Sequence, residues 1–210
     1  MSVGVLDFGV GNVGSILSMH RKLAIPASRV MTGHDLGAHE RFILPGVGAF
    51  DRAMHRLGES GMTERLAELV LGEGRPLLGI CLGMQMLADR SEEGEAGAPG
   101  LGWIPGVIRS MRTMLPSGTS LPFMGWAYID ELRPSTLFAD ASEAQRFYFV
   151  HSFAFVPDED ESVVATADLG APITAVVNRA NIWGTQFHPE KSHRFGMSLL
   201  QNFSRIECHS

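Results

Sequence analysis

Short apolar runs alternate with helical patterns through the first half of this 210-residue chain, and that β-α-β-α order predicts an α/β fold. The expected architecture is an open, mainly parallel sheet with helices on both faces. A second observation agrees: Pro76–Ile80 is continuously apolar, as suits a strand covered on both sides. A third sets the second half apart. Its strand-like runs are separated by turns rather than long helices, which predicts an antiparallel or mixed portion joined to the parallel core.

Taken in order, Val3–Asp7 reads as a strand ended by the Gly9/Gly11 turn. Val13–Leu23 reads as a helix from the spacing of Val13, Ile16, Leu17 and Leu23, with Asn12 as its N-cap. Arg29–Met31 and Arg41–Leu44 read as short strands, and Met54–Leu57 and Thr63–Leu71 as helices. The Pro76–Ile80 strand runs straight into a helix over Leu82–Ala88. From Arg90 to Gly100 the chain is mostly Gly, Glu and Ala, the composition of a solvated loop. Val107–Met111, Phe147–Val150, Val163–Ala167, Thr174–Asn178 and Ile182–Phe187 read as strands, with a second loop at Pro116 to Pro122. Ser192–Phe203 closes the chain as a helix, Ser192 placed as its N-cap.

The length suits one domain over residues 1–210 and a core that needs neither disulfide nor metal to fold. A hydrophobic fraction of 45% and a charged fraction of 19% exclude intrinsic disorder. The balance of 17 basic and 23 acidic residues, net −6, shows no basic stripe and argues against nucleic acid or an anionic membrane as partner. No apolar run approaches the ~20 residues of a membrane helix. Met1-Ser2-Val3-Gly4-Val5 enters a strand pattern with no basic n-region, and the two cysteines, Cys81 and Cys208, have no metal-type spacing. The expected setting is therefore reduced and cytoplasmic.

The sharpest local signal is Gly79-Ile80-Cys81-Leu82-Gly83, between strand and helix. A nucleophile elbow needs small residues two before and two after the nucleophile, because the turn brings those backbones together. It lifts Cys81 out of the sheet at the start of a helix, and the Leu82 N–H then points toward an oxyanion formed by attack at Cys81. A cysteine nucleophile needs a base and an orienter for the base. His20, His34, His39 and His55 lie among surface-like residues, and His151 ends an apolar strand. His188 alone is followed by Pro189 and Glu190; in an extended tripeptide His188 and Glu190 face the same way, so the carboxylate can hold the imidazole in one tautomer. In Pro45-Gly46-Val47-Gly48-Ala49-Phe50, Val47 or Gly48 offers a second oxyanion donor, with an ordinary Pro-Gly turn as the rival reading. Gly9-Val10-Gly11-Asn12-Val13-Gly14 has dinucleotide spacing, but no acidic residue about 20 positions on closes a second strand. His188, Glu190 and His193 make a poor metal trio across a proline and without a helix.

Gly79-Ile80-Cys81-Leu82-Gly83-Met84-Gln85 resembles the nucleophile segment of class I (triad) glutamine amidotransferases, and Gly184-Thr185-Gln186-Phe187-His188-Pro189-Glu190-Lys191-Ser192 resembles their His/Glu segment. With Asp7-Phe8-Gly9-Val10-Gly11-Asn12, Pro45-Gly46-Val47-Gly48-Ala49-Phe50 and Phe147-Tyr148-Phe149-Val150-His151-Ser152, the set resembles the family of glutaminase subunits of imidazole glycerol phosphate synthase. The resemblance runs from residue 4 to residue 203. It implies a flavodoxin-like amidotransferase fold, Cys81, His188 and Glu190 as catalytic residues, backbone of Leu82, Val47 and Gly48 as oxyanion hole, and Gln85, His151 and Ser152 around L-glutamine. It implies no cofactor and no metal. At this length there is no room for a synthase, so it implies a separate (β/α)8-barrel cyclase in a heterodimer, with Asn12, Trp126 and Lys191 at or near the interface. The chain departs from the family pattern at Ala127, Gly14, Phe8 and Phe153, which points to drift on the partner-facing side. Two alternatives stand beside this reading: an ammonia supplier for a sugar-modifying pathway, and a stand-alone cysteine amidohydrolase.

Overall fold

The computed structural model describes residues 2–94 and 97–207, so Cys208 lies outside the described residues. Apolar side chains alternate along the first strands and thereby divide the core in two. Val3, Val5, Ile43, Leu78, Ile80 and Trp183 belong to one buried cluster, while Leu6, Phe42, Leu44, Leu77 and Ile182 belong to the other. Successive strand residues point to opposite faces, so each face needs its own cover.

The first half supplies β1 (Val3–Leu6), α1 (Val13–Lys22), β2 (Ala27–Val30), α2 (Gly33–Leu36), β3 (Arg41–Gly46), α3 (Phe50–Glu59) and α4 (Thr63–Ala67). Then come β4 (Leu77–Cys81), α5 (Leu82–Gln85) and the two-residue strands β5 (Arg90–Ser91) and β6 (Ala98–Pro99). The second half adds β7 (Gly106–Ser110), β8 (Phe123–Glu131), β9 (Arg146–His151) and β10 (Phe153–Pro157). It ends with β11 (Val163–Asp168), β12 (Pro172–Arg179), β13 (Ile182–Thr185) and α6 (His193–Arg205).

Nine strands form one sheet in the order β2-β1-β3-β4-β13-β12-β11-β8-β9. The first five are mutually parallel and the rest join antiparallel, as expected for a parallel core with a mixed extension. A second sheet, β10-β7-β5-β6, lies apart. Residues of α1 and α6 bury against one face of the large sheet, and those of α3 and α4 against the other. In α3 the residues Phe50, Ala53 and Leu57 are fully buried at i, i+3 and i+7, and each large one contributes about 1.5–3 kcal/mol by leaving water. No helix among the described residues is long and apolar enough to cross a membrane.

Several expectations need correction. The strands β8 and β10 were not anticipated. In β8, Ala127 and Ile129 are buried, but Met124, Trp126 and Tyr128 on the outward face are also apolar or aromatic, so no polar alternation marks the strand. The run Phe153–Pro157 follows β9 after a single residue and pairs with β7 in the other sheet. The stretch from Arg90 to Gly100 carries the two short strands β5 and β6. The helix after Cys81 ends at Gln85. His20 and His39 are buried, not superficial: His20 continues the inner stripe of Val13, Ile16 and Met19 on α1, and Ser2 and Ser28 hydroxyls meet the two ring nitrogens of His39. Ala127 faces the core, so that departure from the family pattern is an interior change.

Candidate active site

Register places three strand ends side by side. Gly46 at the end of β3 pairs with Cys81 at the end of β4, and Thr185 at the end of β13 pairs with Ile80. In an open parallel sheet the carboxyl edge is where loops can build a site. Here that edge receives the Val47-Gly48 loop, Cys81, and the segment leading to His188.

Cys81 has φ 55° and ψ −109°, in sparsely populated territory for a side-chain-bearing residue. The strand is wrenched at this one position, so the next residue, Leu82, opens α5. The wrench brings Gly79 and Gly83 together: a methyl on Gly79 would sit 2.6 Å from the Gly83 carbonyl oxygen, and one on Gly83 would collide with the Leu44 carbonyl. The elbow read from the sequence is therefore present, and its two glycines are required by space. Gly48, at φ +100°, is a position beside the site where the backbone itself favours glycine.

His188 donates its Nδ1–H to Glu190 Oε1 at 2.8 Å, and both side chains are 2% exposed. Their approach does not come from an extended tripeptide. Pro189–Lys191 is one 3-10 turn with Pro at its start, a position proline's fixed φ suits. Ser192 does not cap α6 with its side chain; its hydroxyl donates to the His188 carbonyl at 2.6 Å and accepts from the Tyr148 N–H at 3.0 Å. That clamp, with the His188 N–H on the Tyr148 carbonyl, fixes the turn against β9. Burial opposes protonation of His188, but hydrogen bonds to Cys81 and Glu190 and the charges of both outweigh it. His188 is raised to about 9. With Nδ1–H committed to Glu190, Nε2 is the nitrogen left for Cys81.

These groups open into a cavity of about 610 Å³. Of the residues anticipated, Cys81, His188, Val47, Gly48, Leu82, Gln85, His151, Ser152 and Lys191 line it, while Glu190 sits behind His188. Asn12 and Trp126 lie outside. Asn12 accepts from Ser15 N at 3.4 Å and so caps α1 as expected. Trp126 stacks on His193 with ring centroids 5.4 Å apart, under the Arg146 guanidinium. Lys191 Nζ lies 5.7 Å from the Tyr148 ring, whose edge also meets Trp126, so Lys191 and Trp126 share one patch beside the cavity.

Sequence reading missed Glu93, Phe153 and Gln186. Glu93 lines the cavity while accepting from the Phe50 N–H at the start of α3; burial raises its carboxyl above the usual range, partly offset by that bond. No local pattern marks it within its loop. Gln186 is fully buried and donates to Cys81 Sγ at 3.8 Å, and its place two residues before His188 was the available signal. No group of three or more His, Cys, Asp or Glu among the described residues is arranged to hold a metal ion.

His151 donates Nδ1–H to the Phe153 carbonyl at 2.8 Å, leaving Nε2 buried without a partner. Burial, aided by the His188 charge and opposed by the Phe153 bond, lowers it to about 4. The folded state thus binds fewer protons than the unfolded chain between about pH 6.5 and 4, so stability falls as the solution is acidified through that window. The size is roughly 3 kcal/mol. His151→Asn keeps a donor near Nδ1 and removes the titration. Its denaturant stability should decline less than wild type from pH 7 to 4.5, and parallel declines would refute this assignment.

The family model for glutamine amidotransferase class-I matches residues 5–206. The chain is 45% identical over 206 residues to imidazole glycerol phosphate synthase subunit HisH of Bdellovibrio bacteriovorus, covering 97% of this chain and all of that protein. It is 42% identical to the subunit HisH of Leptospira interrogans, with 97% and 100% covered. To subunit HisH 2 of Pseudomonas aeruginosa it is 42% identical, with 96% and 98% covered. Among solved structures, a glutamine amidotransferase superposes with a TM-score of 0.74 at 20% identity, 96% of each chain covered, a likeness of fold.

Proposed function

The chain belongs to the class-I glutamine amidotransferase family, and from that premise we infer that it is the glutaminase subunit of an imidazole glycerol phosphate synthase, supplying ammonia in histidine biosynthesis. The observation that carries the chemistry is the strained Cys81 facing a His188 that its hydrogen bonds to Cys81 and Glu190 hold protonated. Cys81 Sγ attacks the side-chain carbonyl carbon of L-glutamine, and negative charge gathers on the former amide oxygen. Backbone N–H groups of Leu82 and of the Val47-Gly48 loop receive that charge, each donor contributing about 3–4 kcal/mol of transition-state stabilisation. His188 passes its Nε2 proton to the departing nitrogen, ammonia leaves, and a glutamyl thioester remains on Cys81. His188, now neutral, takes a proton from water as it attacks the thioester. Collapse expels the sulfur and releases glutamate, and the imidazolium is restored.

Side chains around the cavity suit the other end of the substrate. The Glu93 carboxylate and the Gln85 carbonyl accept from the α-ammonium, and His151 and Ser152 line the same cavity. An ammonium beside Glu93 offsets the penalty that burial places on its charge. No step calls for a cofactor or metal.

Ammonia made here passes to a separate cyclase subunit with a (β/α)8 barrel, which meets Asn12 and the patch carrying Trp126 and Lys191. Lys191 both lines the cavity and follows Glu190 directly, so a partner touching it biases the geometry of the catalytic turn. The relatives' shared identity as synthase subunits favours this reading over a stand-alone amidohydrolase. Glutamate release should be weak for the chain alone and strongly stimulated by the cyclase with its nucleotide ligand, and Lys191→Ala should blunt the stimulation. Full turnover without a partner would reverse the assignment; unchanged stimulation in Lys191→Ala would remove the coupling role.

A further inference from the structure

The Phe153 carbonyl can only accept a hydrogen bond, and it receives Gln85 Nε2 at 3.0 Å. The same nitrogen gives its other hydrogen to Gln186 Oε1, also at 3.0 Å. With its oxygen committed there, Gln186 must turn Nε2 toward Cys81, where it lies 3.8 Å from Sγ. Flipping Gln186 alone would oppose two donors, and flipping Gln85 would set its oxygen against the Phe153 carbonyl. One backbone carbonyl therefore sets the direction of a buried chain that ends on the nucleophile. It also leaves the Gln85 carbonyl oxygen, which has no protein partner among the described residues, as the acceptor this residue offers to the cavity it lines.

We propose that Gln186 is a positioning residue acting at both ends of the substrate. It holds Gln85 so that a carbonyl, not an amide N–H, faces the glutamine ammonium, and it directs an N–H at Cys81 Sγ on the side away from the cavity. An N–H···S bond strengthens as negative charge gathers on sulfur, so the contact favours the charged sulfur, which attacks glutamine and later leaves the thioester, over a neutral thiol. Gln186 touches no substrate atom. Its effect passes through Cys81 and Gln85, and it rests on the glutaminase reading above.

The test compares the full-length wild-type chain with Gln186→Met, of similar length but apolar, and Gln186→Glu, which still offers oxygen to Gln85 but no amide N–H to sulfur. For Gln186→Met, KM for glutamine should rise about tenfold, and the curve of Cys81 alkylation by iodoacetamide against pH should move up by about one unit, each the loss of one charge-assisted hydrogen bond. For Gln186→Glu, KM should lie within about twofold of wild type while kcat falls about tenfold. Unchanged KM and an unmoved alkylation curve in Gln186→Met would overturn the proposal. If that variant does not fold, Gln186→Glu decides alone: a normal kcat overturns the proposal, and a depressed kcat at near-normal KM supports it. A wild-type chain that hydrolyses no glutamine even with the cyclase and its nucleotide ligand present would sink the glutaminase reading, and the alkylation curves would still decide the link between Gln186 and Cys81.

Discussion

Gly83→Ala is expected to destroy the nucleophile elbow and to destabilise the chain by about 4 kcal/mol or more, a size that marks a severe local cause such as overpacking against backbone. The added methyl would collide with the Leu44 carbonyl, and a carbonyl in a central strand has nowhere to retreat. Leu44 pairs with Gly79 across β3 and β4, and a methyl at Gly46 would already stand 2.9 Å from the Gly83 N–H side of the same contact. Relief therefore requires separating β3 from β4 or lifting α5, and either displaces Cys81. Against a typical total of about 5–15 kcal/mol, the loss is a large fraction of what holds the fold. Gly14 provides the contrast. It lies in α1 at ordinary φ with nothing within 4 Å of an added methyl, so Gly14→Ala should be neutral or gain about 0.5–1 kcal/mol. Urea unfolding of the two variants checks both, and near-wild-type stability of Gly83→Ala would refute the steric account.

That steric account explains why the site was more legible in the sequence than the fold around it. Close backbone approach leaves a residue-level mark, small residues at fixed offsets from Cys81, and the Pro189 turn leaves another at His188 and Glu190. Both marks are local. The sheet order is not: β13 is last among the strands in sequence, yet it lies between β4 and β12, and no run of residues announces that pairing. Likewise Glu93 enters the cavity because β5 pairs with β7 and swings its loop over the edge, a long-range event invisible in its neighbours. His20 was legible and misread. Polar Arg21 and Lys22 beside it suggested surface, while the helical stripe through Val13, Ile16 and Met19 pointed inward. Strand β8 was concealed by its own chemistry, since Trp126 and Tyr128 place aromatic rings on the outward face.

Glu190→Gln should leave Cys81 in place and still lower kcat by about 10³–10⁴, the scale on which losing the orienting carboxylate of a nucleophile–histidine triad acts. The amide has two ways to sit and neither serves. With its carbonyl toward His188 Nδ1–H, its NH₂ occupies the place of Glu190 Oε2, which is buried with no hydrogen-bond partner, so a donor is stranded there. With its NH₂ toward Nδ1, the imidazole must carry its proton on Nε2, facing Cys81, and cannot take one from water during hydrolysis of the thioester. Both poses remove the negative charge that helps hold His188 at about 9, while the burial that opposes protonation stays. The pH dependence then has a definite sign. In wild type the folded His188 value stands above its unfolded value of 6.5, so the stability it contributes is complete below pH 6.5 and lost as pH rises through about 9. The stability difference between wild type and Glu190→Gln should accordingly be largest near pH 6 and shrink by pH 9.5, and the alkaline limb of kcat/KM should move to lower pH in the variant. A difference that grows with pH, or an alkaline limb that stays where it was, would mean that Glu190 does not hold the proton on His188.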